Sequence, residues 1–109
     1  KENLPQKNKE FEIEKLKITV RDLNLKDIEL RKLARNTKGS VILEISNRSP
    51  LIGLLNVNDI ILEVQKKPIN SSSNFNKMVN EIVKQRNTSL LLTVINSSNQ
   101  RRYLGVKVK

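Results

Sequence analysis

The sequence predicts a small α+β fold, a partly open β-sandwich or barrel of five to six strands with two to three short helices. Three observations carry that expectation. Short runs rich in Ile, Leu and Val, over residues 41–45, 60–64 and 89–95, recur between polar turns. One segment switches to a helical period, with Phe75, Met78, Val79, Ile82 and Val83 at i, i+3, i+4, i+7 and i+8. Strands and helices do not alternate regularly and no segment repeats, which sets aside a parallel βαβ sheet.

Taken in order, residues 1–10 are polar and charged, with Pro5, and read as a linker. Residues 11–20 alternate apolar and polar side chains. Phe11 and Ile13 keep one parity and Leu16, Ile18 and Val20 the other, because Glu14-Lys15 inserts a step. That pattern means two strands, or one strand with a bulge at Glu14-Lys15. A short helix starts near Asn24 or Lys26 and stops by Asn36. The polar turn 36–39 leads into a strand at 41–45. Ser49 suits an N-cap and Pro50 a first helical position, so a short helix is expected over 50–54. Asn56-Val57-Asn58-Asp59 is a turn, with Asp59 as its side-chain cap. Residues 60–64 are apolar on both faces and read as a central strand. The serine run 71–73 precedes the helical stripe, whose last turn carries Lys84 and Arg86 and which Asn87 can end. Strands 89–95 and 101–108 flank the polar hairpin loop 96–100.

The composition excludes several kinds of chemistry. The 109 residues contain no Cys and no His. Disulfides, thiolate zinc sites, histidine metal sites, a Ser-His-Asp triad and a Cys-His pair cannot be assembled from this chain. No catalytic residues, metal ligands or cofactor are expected. Lys66-Lys67 beside the serine run 71–73 could be imagined as a Ser-Lys dyad, but a serine-rich helix start is the ordinary explanation. No apolar run approaches the ~18 residues that a membrane-spanning helix needs.

The net charge is +10, and residues 63–109 hold nine basic against two acidic side chains. Lys66, Lys67, Lys77, Lys84, Arg86, Arg101 and Arg102 could form a basic face. Against a nucleic-acid role stand two Phe, one Tyr and no Trp for base stacking, and no recognisable binding motif. A basic nucleic-acid or anionic-surface binder is a less favoured alternative, and no nucleic-acid partner is expected.

One stretch is more specific. It runs from the apolar strand 41–45 through Ser49-Pro50-Leu51-Ile52-Gly53-Leu54 to Leu55-Asn56-Val57-Asn58-Asp59-Ile60-Ile61-Leu62-Glu63-Val64 and Pro68-Ile69. Its order and spacing resemble the PDZ domains of the bacterial HtrA (DegP-type, Do-like) proteases. The closing stretch 101–108 is similar to the last strand of the second, C-terminal PDZ domain of that family. The resemblance covers residues 16–109, with 1–15 as a linker or N-terminal extension. Asn58 stands where the family most often has Gly, and the segment from Ser49 to Asp59 is one residue short.

The resemblance implies a PDZ-like fold and a peptide-binding, regulatory module of a periplasmic serine protease active in protein quality control. The catalytic domain of the hydrolase would lie outside this chain. Apolar peptide termini would add as a strand to the edge formed by Leu16, Lys17, Ile18, Thr19 and Val20. Phe75, Val79 and Ile82 would form the helical wall, and the amides of Lys17 and Ile18 would face the terminal carboxylate. Lys17 replaces a family Gly, and either closes the carboxylate loop or pairs with the carboxylate. The implied partners are peptides or unfolded substrates, neighbouring protease and PDZ domains, and further copies in a homo-oligomer. The alternative reading is a structural PDZ domain that mediates protomer assembly without capturing a ligand.

Overall fold

A computed structural model describes residues 10–85 and 89–107. Among these residues the chain is α+β, with seven strands in one antiparallel, open sheet and two helices, an arrangement compatible with a PDZ-like partly open sandwich. The strands are β1 (Glu10–Ile13), β2 (Ile18–Asp22), β3 (Ser40–Ile45), β4 (Ile60–Val64), β5 (Lys67–Pro68), β6 (Ser89–Ile95) and β7 (Arg101–Lys107). The helices are α1 (Leu25–Arg31) and α2 (Ser72–Lys84). The sheet order is β1-β2-β3-β4-β6-β7, with β5 paired to β4 off this path. The seven strands exceed the expected five or six because β1 is a strand of its own and β5, although only two residues long, pairs with β4.

The parity change at Glu14-Lys15 is a hairpin. Turn 14–17 folds β1 onto β2, so Ile13 opposes Ile18 and Phe11 opposes Val20 on the inner face. The boundary expected between residues 15 and 16 therefore falls inside this turn. Ile13, assigned to the N-terminal extension, is fully buried in the main core.

α1 starts with a reciprocal capping box. Asn24 Oδ1 accepts the Asp27 amide at 2.9 Å, and Asp27 Oδ2 accepts the Asn24 amide at 2.9 Å. It ends at Lys32 in the left-handed region (φ 58°), with the Leu33 amide returning to the Ile28 carbonyl at 2.9 Å.

The helix expected over 50–54 does not form. Gly53 takes φ 81°, which no right-handed helix accommodates, and the segment is a series of turns instead. Ser49 keeps a capping role. Its Oγ accepts the Leu51 amide at 3.0 Å and donates to the Leu16 carbonyl, tying these turns to the β1–β2 hairpin. Asn58 adopts φ 80°, the conformation that favours Gly at this place. Asp59 is the expected cap, its Oδ2 accepting the Asn56 amide at 3.0 Å.

β4 is central and apolar on both faces. Ile61 and Val64 enter the main core with Ile13, Leu16, Ile18, Val20, Phe75, Val79, Leu90 and Leu92. Ile60 and Leu62 enter a smaller cluster with Val41 and Ile95, against which Leu23 and Leu33 pack. Arg31 locks α1 over that second face. Its guanidinium donates to the Asn58 carbonyl at 2.7 Å and the Asn96 carbonyl at 2.8 Å. β6 and β7 pair over seven consecutive positions, from Ser89↔Lys107 to Ile95↔Arg101. The expectations placed on Arg86, Asn87 and Val108 lie outside the described residues.

Candidate peptide groove

The expected groove has β2 along one side and α2 as its wall, and polar contacts fix the start of α2 against β2 and β3. Ser71 caps α2, its Oγ accepting the Asn74 amide at 3.1 Å. Asp22, at the end of β2, adds a carboxylate to the same helix start, with Oδ1 accepting the Ser72 amide at 2.6 Å. A carboxylate there satisfies an orphan helix amide and complements the helix dipole. The hydroxyls of Ser40 and Ser72 meet at 2.8 Å, both buried. The serine run therefore carries capping and packing contacts.

The structure divides the predicted site residues into two groups. Leu16, Ile18, Val20, Phe75 and Val79 are at most 2% exposed and belong to the main core. Ile82 is half-buried against that core, while Lys17 is exposed and Thr19 half-exposed. The apolar stripe on α2 is thus mostly core, as helical periodicity alone favours.

β1 occupies the edge of β2. Glu10, Phe11, Glu12 and Ile13 pair with Arg21, Val20, Thr19 and Ile18, while the other side of β2 pairs with β3. β1 also contacts α2. Phe11, Met78, Ile82 and Val83 are partly buried on one continuous cluster with Ile13. The turn amides point the same way. Leu16 and Lys17 both donate to the Ile13 carbonyl, at 3.0 and 2.7 Å. The Lys17 amide, expected to face a terminal carboxylate, is used within the hairpin. Ile18 opposes Ile13 in the ladder. Ile13 thus has its side chain in the core and its carbonyl on the turn amides of Leu16 and Lys17.

Lys17 stands in the left-handed region at φ 55°. Its carbonyl accepts the Ser46 amide at 3.0 Å, which joins the turn to the end of β3. On the outer face, Glu12, Thr19 and Glu44 form a cross-strand row. They line a polar cleft of about 930 Å³ with Glu14, Lys15 and Lys17.

Beyond the row, Arg21 grips Asp27 with two bonds of 2.7 and 2.9 Å. Burial alone would push the Asp27 carboxyl up. The Arg21 guanidinium and the Asn24 amide outweigh it and hold the carboxyl below its ordinary value. The bond to Asp27 likewise holds the Arg21 guanidinium above its ordinary value.

β1 is the site element that the sequence reading left out. Its signal was the alternation Glu10-Phe11-Glu12-Ile13-Glu14, which is as regular as that of β2. Among the described residues, no group of three acidic, His or Cys side chains could hold a metal ion, and no helix is long and apolar enough to cross a membrane. No protein-family model matches the chain, and no curated protein is found to be similar to it.

Proposed function

We propose that the chain is a non-catalytic, PDZ-like interaction module of a Do-like periplasmic serine protease, and that it serves assembly and not capture of free peptide ends. The family part of the reading rests on the resemblance carried by the stretch from Ser49 to Val64. The assembly part rests on one observation, the pairing of β1 along β2. Strand addition needs unpaired amides and carbonyls on the receiving edge. An incoming peptide would have to displace four paired residues and expose the buried Ile13. The partners in this reading are neighbouring protease or PDZ domains and further copies of the same protein.

A second reading, ligand capture after displacement of β1, has its own support. The Lys17 amide, expected to face a terminal carboxylate, is held by the Ile13 carbonyl and would be released if β1 left the edge. Titration with peptides ending in Phe, Ile or Val separates the two. Assembly predicts no saturable binding at β2 and α2 up to ~1 mM, the weak end of measurable affinity. Saturable binding that requires the free carboxylate, with amide shifts confined to β2 and α2, would overturn the assembly reading in favour of capture.

A further inference from the structure

With β2 paired on both sides, β1 and β7 end the sheet. They differ in length and in charge. β1 is four residues long and carries Glu10 and Glu12. β7 is seven residues long, has no break in its register with β6 and contains no proline. Natural edge strands are commonly blunted by prolines, bulges, shortness or charged side chains, and of these β7 has only its charges. Among the described residues no strand pairs with its outer side.

Arg101, Arg102 and Lys107 supply three cations on β7 and no anion. Arg101 and Tyr103 share a face, and Tyr103 is 58% exposed. Beside them lies an open cleft of about 500 Å³ lined by Glu63, Lys66, Leu91, Arg101 and Tyr103. Its one acid, Glu63, accepts a 2.9 Å hydrogen bond from the Thr93 hydroxyl. Gly105 leaves open space, with nothing within 4 Å of where a Cβ would stand.

We propose that β7 is a second strand-addition edge, separate from the β2–α2 groove, and that it accepts an extended acidic segment of a partner protein. Charge selects that occupant. Two β7 strands laid together would set three cations against three, which disfavours pairing between copies through this edge. The chain's own residues 1–9 hold three Lys and one Glu, the wrong sign for β7. A strand with Glu or Asp at alternate positions meets Arg101 and Lys107 with opposite charge. Its apolar residues can reach the Tyr103 ring and the adjoining cleft. Backbone pairing supplies the affinity, and the cations supply the sign preference.

The test is a titration of the full chain, followed by backbone amide shifts, with a ten-residue peptide alternating Glu and Val and with its Lys-for-Glu counterpart. The Glu peptide should shift the amides of β7 and leave β1, β2 and α2 in place, with affinity falling as salt rises. Arg101→Gln/Arg102→Gln should weaken it about tenfold. Arg101→Glu/Arg102→Glu should abolish it and admit the Lys peptide, while unchanged α2 amides report an intact fold. Equal binding of both peptides by the unmodified chain, or no binding of either, would overturn the proposal. So would shifts at β2 and α2, which would instead support capture in the groove. Self-association of the peptide-free chain that shifts the amides of β7 would overturn it as well, making a second copy the occupant.

Discussion

Replacing Ile13 by Ala tests whether β1 belongs to the core. Ile13 is fully buried and joins the cluster of Leu16, Ile18, Phe75 and Val79. The substitution removes three carbons, worth about 0.8 kcal/mol each in transfer free energy, or about 2.4 kcal/mol together. The cavity left behind adds to this, and buried Ile-to-Ala changes cost about 2–5 kcal/mol in all. For a domain of this size, each kcal/mol lowers the melting temperature by about 4–8 °C. Ile13→Ala should therefore lower it by at least ~10 °C. Glu12→Ala, one residue away on the exposed face, should change stability by less than ~0.5 kcal/mol. Urea unfolding followed by circular dichroism gives both values, and hydrogen exchange of the amides of β1 and β2 shows whether the hairpin has opened. A cost below ~0.5 kcal/mol for Ile13→Ala would refute the reasoning. It would mean that residues 10–13 are a loose extension and that the edge of β2 is free.

Three further outcomes follow from single contacts. Lys17→Gly relieves a left-handed residue, a gain of about 1–2 kcal/mol, against about 0.5–1 kcal/mol of added chain entropy in the unfolded state. The urea midpoint should hold or rise, and a clear fall would show that the Lys17 side chain stabilises the turn. Asp22→Ala removes a carboxylate from the Ser72 amide and should cost about 1–2 kcal/mol, with faster amide exchange in the first turn of α2; unchanged exchange there would contradict the capping role. The lowered Asp27 carboxyl contributes stability that is fully present above its unfolded value, about 3.9, and lost as pH falls through its lower folded value. The melting temperature of the unmodified chain should fall over that acid window, and Asp27→Asn should flatten this part of the profile. Parallel profiles for the two proteins would count against the Arg21–Asp27 pair as the source.

Local signals made much of the fold legible. The stripe of Phe75, Met78, Val79, Ile82 and Val83 marked α2, and the β6 strand and the loop after it fell where the residue types placed them. The Asn58–Asp59 turn was readable because a left-handed Asn and a capping Asp act within four residues. The miss at 50–54 has the same local origin. Ser49-Pro50 is a sound helix start, but Gly53 adopts a conformation that breaks the helix within its first turn. The candidate site was less legible. A strand's pattern shows which face is buried and does not show which strand lies beside it. Apolar residues on β2 and α2 look the same whether they wait for a peptide or already hold a segment of their own chain.

The sequence by itself determined the α+β class, the places of α2, β3, β4, β6 and β7, and the absence of any histidine- or cysteine-based chemistry. These follow from residue type and period, which act over a few neighbours. Only the tertiary structure decided that the alternating segment ahead of Leu16 folds back as β1 along β2. It also decided that the Asp22 carboxylate reaches Ser72 fifty positions away, and that no strand among the described residues covers the outer side of β7. Those outcomes depend on which backbone edges and buried faces meet after the chain closes its long loops. The free energy of such pairing comes from packing between distant segments, so no single stretch of the chain carries it.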